Sequence, residues 1–176
     1  MTSEHQSEDS LAFTRQWAHL REGDALVPSY AAFDPLDFVD FLSMLVIAEI
    51  DYEAGTMPIK LAGNTIRDFV GFELTGQDFL QFDKTDNDEK SWRHRRAYHN
   101  HPCGRYERLD VRFDSGIFME CALTILPLLG KKEERLIVIF VEPIVPQSIA
   151  PNSETATIAE AAKFGVYLDI GAGIPS

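Results

Sequence analysis

Residues 62–79 read AGNTIRDFVGFELTGQDF and are divided by glycines at Gly63, Gly71 and Gly76. Runs rich in branched apolar residues lie on both sides of this segment. Two precede it, at 44–50 and 57–62, and three follow it, around 109–113, 117–126 and 136–141. Glycine permits the positive φ values and close backbone approaches that a chain needs if it turns several times within about twenty residues. The pattern therefore predicts a group of short helices inserted into an antiparallel sheet.

The bulk composition predicts one cytoplasmic globular domain with short extensions. The 176-residue chain is 45% hydrophobic and 25% charged, and its two cysteines, Cys103 and Cys121, lie outside any CxxC spacing, which favours reduced thiols. The net charge of -12 opposes direct binding to nucleic acid. The acidic first ten residues do not resemble a secretory signal, and the longest apolar runs are far shorter than the roughly 20 residues of a membrane span.

The N-terminal region predicts an amphipathic helix. Ser10 can cap a helix over about 10–22, in which Phe13, Trp17 and Leu20 fall on one side at i, i+4 and i+7. This apolar stripe either packs on its own domain or packs against a second subunit. Because the helix precedes the domain, we predict a homodimer with these three residues at the dimerisation surface.

The remaining elements follow from their start and stop signals. A second helix is expected to begin at Asp34-Pro35 and to use Leu36, Phe38, Val39 and Leu42 as its apolar side. A longer helix is expected over 87–100, and the strand at 136–141 is apolar at nearly every position, which predicts burial on both faces. After residue 142 a surface linker, a short helix at 158–164 and a tail follow, and the tail either docks on the sheet or stays free. The predicted divisions are 1–33 (flanking helix), 34–145 (domain) and 146–176 (linker and tail).

The order of these elements, together with two local segments, resembles the PAS domain family. Residues 58–64, PIKLAGN, are similar to the second PAS strand and its exit, and residues 71–76, GFELTG, are similar to the segment between the central short helices of that family. With Trp17, the Asp34-Pro35 start and the DIGAG sequence at 169–173, the chain resembles the small stand-alone PAS proteins of bacteria. The resemblance implies an α+β fold: a five-stranded antiparallel sheet with short helices on one face and an N-terminal amphipathic helix.

The resemblance also implies a pocket between the concave face of the sheet and the short helices. Eight residues are expected to line it: Phe69, Phe79, Trp92, Arg95, Tyr98, Met119, Cys121 and Ile139. For each of them, ordinary core packing is the reading that an apolar or aromatic residue near a sheet favours. The implied function is a non-enzymatic sensory module that binds a small molecule or a protein partner and signals by altered association.

Two other functions stay open. The chain could be a pure interaction or dimerisation module with a filled core, using the N-terminal helix and an exposed sheet face. It could also be a cone-fold enzyme that uses Asp68, Asp78 or Tyr98 on a small apolar substrate. The sequence contains no Ser/His/Asp order, HExxH motif or phosphate-binding glycine loop, so we assign no catalytic residue.

Residues 92–101, WRHRRAYHNH, form a basic cluster in an acidic chain. The cluster could be a solvated helix, an anion or partner site with Arg95 or Arg96 turned toward the pocket, or a haem site with His94 or His99 on the iron. The charged neighbours argue against haem. The flavin-binding PAS subclass resembles a pattern with a cysteine beside a central short helix, and residues 75–81 contain none. Neither haem nor flavin is therefore predicted, no metal ligand is assigned, and the ligand stays unidentified.

Overall fold

An antiparallel sheet forms the centre of the protein in a computed structural model, which describes residues 6–82, 89–113, 118–144, 156–158 and 164–175. The strand order is β2-β1-β5-β4-β3-β6, and β7 also pairs with β3. The strands are β1 Leu45–Glu49, β2 Ile59–Ala62, β3 Cys103–Phe113, β4 Phe118–Leu129, β5 Arg135–Pro143, β6 Ala156–Ile158 and β7 Phe164–Asp169. This is the predicted α+β arrangement, since β1 to β5 form the five strands expected from the sequence.

The predicted number of strands is wrong, because the C-terminal tail adds two. β6 pairs with 111–113 of β3, and β7 pairs with 103–108 of the same strand. The tail therefore docks on the sheet, which was one of the two alternatives. The short helix predicted at 158–164 is wrong at both ends, where Ile158 belongs to β6 and Phe164 to β7, and its middle lies outside the described residues. Strands β6 and β7 instead satisfy the free hydrogen-bonding groups of the β3 edge.

Three α-helices and four 3-10 helices complete the described chain. The α-helices are α1 Glu8–Ala18, α2 Asn64–Val70 and α3 Glu89–Asn100, and the 3-10 helices are Tyr30–Ala32, Pro35–Phe38, Leu42–Met44 and Phe79–Gln81. No helix in the described residues is long and apolar enough to cross a membrane. The longer helix predicted at 87–100 is confirmed over the part that the structure describes.

The helix predicted from Asp34 is wrong. The segment forms only short 3-10 turns, in which Phe38 is buried while Leu36 and Val39 are 79% and 67% exposed. The Phe38 ring stacks on Phe33 at 4.6 Å between centroids.

Both faces of the sheet are covered by other parts of the chain. Since side chains alternate along each strand, each strand contributes residues to both faces. On β4, Met119, Cys121, Leu123 and Ile125 face α2 and α3, while Ala122, Leu126 and Leu128 face α1. On β5, five consecutive residues from Leu136 to Phe140 are buried. The prediction that this strand is buried on both sides is confirmed. The two faces carry separate hydrophobic cores, and the sheet face proposed as an exposed partner surface is largely occupied by α1.

Helix α1 packs its apolar stripe on the chain's own sheet. Phe13 and Trp17 are completely buried, and Leu20 is 8% exposed. The Trp17 Nε1 donates a hydrogen bond to the Pro127 carbonyl at 3.0 Å, and the Phe13 ring lies 5.3 Å from that of Phe140. Of the two alternatives for this stripe, packing on its own domain is therefore the one observed. The three side chains are not exposed to a second copy. A dimerisation role for them stays a prediction that this packing opposes.

The start of α1 also differs from the prediction. Ser7 is the N-cap, and its hydroxyl accepts a hydrogen bond from the Ser10 backbone N–H at 3.0 Å. Ser10 is completely buried, and its hydroxyl shares a hydrogen bond with that of Thr124 at 2.5 Å. This buried pair joins the helix to β4, which the residue types alone could not indicate because serine is also a favourable cap.

A candidate apolar binding cavity

A cavity of about 110 Å³ lies between the concave face of the sheet and the segment that contains α2. All five central strands contribute to it. It is lined by Val46, Ile59, Ile66, Phe69, Val70, Leu74, Phe79, Phe82, Leu109, Val111, Met119, Cys121, Leu123, Ile139 and Val141. The cavity is the candidate functional site.

The glycines set the path of the helical wall. A Cβ at Gly63 would lie 2.3 Å from the backbone oxygens of Leu42 and Ser43, so only glycine allows the chain to pass this close at the start of α2. Gly71 ends α2 with a φ of 76°, in the left-handed region. Between these two residues, α2 directs Ile66, Phe69 and Val70 toward the sheet at i, i+3 and i+4 spacing.

Backbone hydrogen bonds tie the second half of the wall to the edge of the sheet. The Gly76 N–H donates to the Ile59 carbonyl at 2.8 Å, and the Phe79 N–H donates to the Met57 carbonyl at 2.8 Å. An Asp78 carboxylate oxygen accepts from the backbone N–H groups of Met57 at 2.8 Å and Leu80 at 3.1 Å. Asp78 is therefore a capping residue that holds Phe79 against the cavity.

The lining is apolar throughout. Its most polar atom is the Cys121 sulfur, and burial raises the pKa of this thiol to about 12, so it is neutral at pH 7. A charged ligand would lose its hydration without gaining a partner from these side chains. The cavity therefore suits a neutral, apolar molecule.

Its volume limits the ligand further. Pockets for drug-sized ligands measure about 300–1,000 Å³, whereas dry apolar cavities of about 150 Å³ take benzene or xenon. A volume of about 110 Å³ falls near the second class. A ligand of haem or flavin size does not fit unless the half-buried rings of Phe69, Phe79 and Phe82 move away.

Five of the eight predicted residues line the cavity, namely Phe69, Phe79, Met119, Cys121 and Ile139. The other three, Trp92, Arg95 and Tyr98, belong to α3 and lie beside the cavity. Tyr98 is buried, and desolvation, followed by the nearby Glu107 charge, raises its pKa well above the usual value. The Arg95 guanidinium lies 4.9 Å from the centroid of the Trp92 ring, so this pair covers the core from the helix instead of entering the cavity.

The lining residues that sequence reasoning missed are plain aliphatic positions and one phenylalanine. Leu109, Val111 and Leu123 occupy strand positions on the concave face, which the alternation along β3 and β4 could have identified. The resemblance instead directed attention to aromatic and basic residues of α3. The helix crosses the sheet near β3 and β4 but stays outside the cavity.

The two histidines considered as iron ligands also lie elsewhere. The His94 Nδ1 contacts the Tyr167 hydroxyl on β7. The His99 Nε2 donates to the Leu128 carbonyl at 3.1 Å, and burial lowers the pKa of this imidazole. Arg96 is exposed and pairs with Glu89 at 2.5 Å. Within the described residues no group of three His, Cys, Asp or Glu side chains could hold a metal ion.

The residues imagined as an enzyme's acid or base do not meet. Asp68 is exposed on α2 beside Arg67, Asp78 caps the 3-10 helix, and Tyr98 is a buried residue of α3. None of them lines the cavity. The described residues thus supply no acid–base pair at this site.

Comparisons with known proteins were made for the whole sequence. No curated protein matches it. Among solved structures 28 chains match, one of which is a fungal LOV domain photoreceptor with 14% sequence identity and a TM-score of 0.45, covering 77% of this chain and 92% of that one. The profile of the PAS domain family matches residues 4–139. Because this match spans most of the chain and every cavity residue except Val141, the chain belongs to the PAS domain family.

Proposed function

We propose that this PAS chain is a non-enzymatic cytoplasmic sensor that takes up a small, neutral, apolar molecule and signals by altered association with another protein. The observation that carries the proposal is the apolar cavity of about 110 Å³ between the sheet and α2. The PAS family is typically sensory and not catalytic, which agrees with this assignment. The two free, buried thiols fit a reducing compartment.

The ligand class follows from the lining. A molecule of about six non-hydrogen atoms, such as benzene or a short hydrocarbon chain, would gain dispersion contacts with Phe69, Phe79 and Ile139. It would need no hydrogen-bonding group, because the wall offers none. A longer ligand would have to displace the phenylalanine rings on the helical side.

Ligand binding in the cavity can affect the surface of the domain through β3. Leu109 and Val111 of this strand line the cavity, and the same strand carries β6 and β7 on its other edge. A ligand that pushes on β3 would alter the docking of the tail. A ligand shifts such an equilibrium only by its differential affinity for the two states, so the tail must respond measurably if this is the output.

The test is a thermal-shift and native mass spectrometry screen with benzene, indole, xenon and short-chain alcohols. Binding to the native state alone stabilises by RT ln(1 + [L]/Kd), so a ligand raises Tm in proportion to the logarithm of its concentration. The variant Val111→Phe fills the cavity and should abolish the shift. A matched control, Val166→Phe, places the same ring on a half-buried strand position of the opposite core and should keep it.

If no compound raises Tm in the wild-type protein, and the purified protein retains no small molecule, the sensor proposal fails. The result would favour a pure interaction module with a filled core. An equal shift in Val111→Phe and wild type would place the ligand elsewhere. A homodimer stays compatible with either function, and the burial of Phe13, Trp17 and Leu20 within the chain favours a dimer surface elsewhere.

A further inference from the structure

We propose that residues 34–40, which we call the acidic turn, are a docking surface for a basic amphipathic segment of another protein. The sequence here is DPLDFVD. The inference is independent of the cavity, because the acidic turn lies on the side of the sheet that α1 covers. It rests on two exposed apolar side chains, on their fixed orientation and on the charge around them.

Leu36 and Val39 expose 79% and 67% of their surface, more than the other large apolar side chains in the described residues. Single exposed apolar residues are ordinary, but these two lie three positions apart on one short turn, next to the exposed Pro35. Adjacent exposed apolar groups of this kind are typical of interaction surfaces.

Their outward direction is fixed by Phe38 between them. Phe38 is 1% exposed, stacks on Phe33 at 4.6 Å and meets the Phe13 ring edge-on at 6.0 Å. The Asp34 carboxylate also caps the turn by accepting from the Leu36 N–H at 2.9 Å. The turn is therefore anchored, and Leu36 and Val39 could reach the core only if Phe38 left it. A preorganised surface loses less conformational entropy when a partner binds.

The charge around the turn selects the partner. Asp34, Asp37 and Asp40 are all exposed and flank the two apolar residues in the sequence. Residues 22–59 contain eight Asp or Glu and no Lys, Arg or His, so no basic group of this segment offsets the field. A partner that covers Leu36 and Val39 must place positive charge beside the aspartates.

A second copy of the chain does not match this requirement. Among the described residues of its basic helix α3, the exposed side chains are all polar, and Arg96 already pairs with Glu89 at 2.5 Å. An anionic lipid surface would be repelled by the three aspartates. A segment with both apolar and basic side chains on one face, as in a basic amphipathic helix, meets both demands.

The experiment uses a synthetic amphipathic helix of leucine and lysine as the probe, titrated into the intact chain and followed by fluorescence anisotropy. The pair Leu36→Ser and Val39→Ser should weaken Kd about tenfold or more. The pair Asp37→Asn and Asp40→Asn should weaken it and reduce its dependence on salt. All four side chains are exposed, so the variants should fold, and unchanged circular dichroism and Tm would verify this.

Matched controls separate docking from general attraction between a cationic peptide and an acidic protein. Ile174→Ser removes another exposed apolar side chain, and Glu53→Gln removes another exposed carboxylate. Neither should change Kd by more than about twofold. Equal binding to the acidic-turn variants and to the controls would overturn the proposal. It would also be overturned if Leu36→Ser abolished self-association, or binding to phosphatidylserine vesicles, in place of peptide binding.

Discussion

At the residue scale, Cys121 connects the cavity to the stability of the fold. Burial raises the pKa of its thiol from 9.0 to about 12, and burial does the same for Cys103. Because the pKa is raised in the folded state, the stabilisation that each thiol contributes is fully present below pH 9. Below that pH the thiol is neutral in both the folded and the unfolded chain. This stabilisation is lost as the pH rises from 9 toward 12, because only the unfolded chain ionises in this range.

We therefore expect the free energy of unfolding to decrease between pH 9 and pH 12, by about 1 kcal/mol per thiol at pH 10. Urea titrations across this range measure the loss. The variant Cys121→Val, of similar volume, should show a shallower decrease than the wild type, since the buried tyrosines and Cys103 still contribute. An identical pH dependence in the two proteins would mean that the Cys121 thiol ionises as readily in the folded state as in the unfolded one.

At the element scale, α1 is part of the fold and not an appendage to it. Replacement of Trp17 by alanine removes the largest completely buried side chain of the core between α1 and the sheet. It also removes the hydrogen bond to the Pro127 carbonyl. The variant should lose about 3–5 kcal/mol of stability, measured by urea unfolding. Its oligomeric state in sedimentation should equal that of the wild type. A stable, folded monomer produced from a wild-type dimer would instead support the dimerisation role.

The tail strand β7 gives a second prediction at this scale. Leu168 is 5% exposed and lies opposite Gly104, where its Cβ would come 3.2 Å from any added Cβ. If β7 stays docked in solution, Leu168→Ala should cost about 2–4 kcal/mol. Ile174→Ala, in the same tail but 61% exposed, should change stability by less than about 0.5 kcal/mol. Equal, small effects at both positions would indicate that β7 is released from β3.

These two elements show what sequence patterns can and cannot predict here. The strands β1 to β5 and the helix α2 were predictable because glycines and alternating apolar residues mark them locally. The surface that covers the apolar stripe of α1 was not predictable. The i, i+4, i+7 spacing defines an apolar face but does not indicate which surface packs on it. The tail was ambiguous for a similar reason: Phe164, Val166 and Leu168 alternate, but the edge they join is more than fifty residues away in the chain.

The cavity shows the same limit. Phe69, Phe79 and Ile139 were predictable from the short helices and the buried strand. The exclusion of Trp92, Arg95 and Tyr98 depends on where α3 crosses the sheet, which is a property of packing and not of composition. The Arg95 guanidinium lies 4.9 Å from the centroid of the Trp92 ring, and this cation–π contact holds its charge on α3 beside the cavity.

At the scale of the whole molecule, a net charge of -12 acts on a fold with two separate cores. The acidic residues repel one another more strongly in the compact state than in the unfolded chain. Some ion pairs act against this repulsion, such as Lys60 with Glu49 at 2.7 Å and Arg105 with Glu107 at 2.7 Å. The Arg105 pair is the more buried of the two and is therefore less sensitive to screening.

The excess of acidic repulsion over ion pairing predicts that added salt stabilises the protein. Raising sodium chloride from low ionic strength to a Debye length of about 8 Å should increase the free energy of unfolding, on the order of 1 kcal/mol, because the unpaired repulsion exceeds what exposed ion pairs contribute. Urea unfolding midpoints at several salt concentrations measure this increase in the free energy of unfolding. Since residues 22–59 hold no basic group, the Asp37→Asn and Asp40→Asn pair should raise stability at low salt and reduce the salt response. A stability that falls with salt would show that the ion pairs outweigh the repulsion, and the acidic turn would then not be the uncompensated surface on which docking of a basic partner depends.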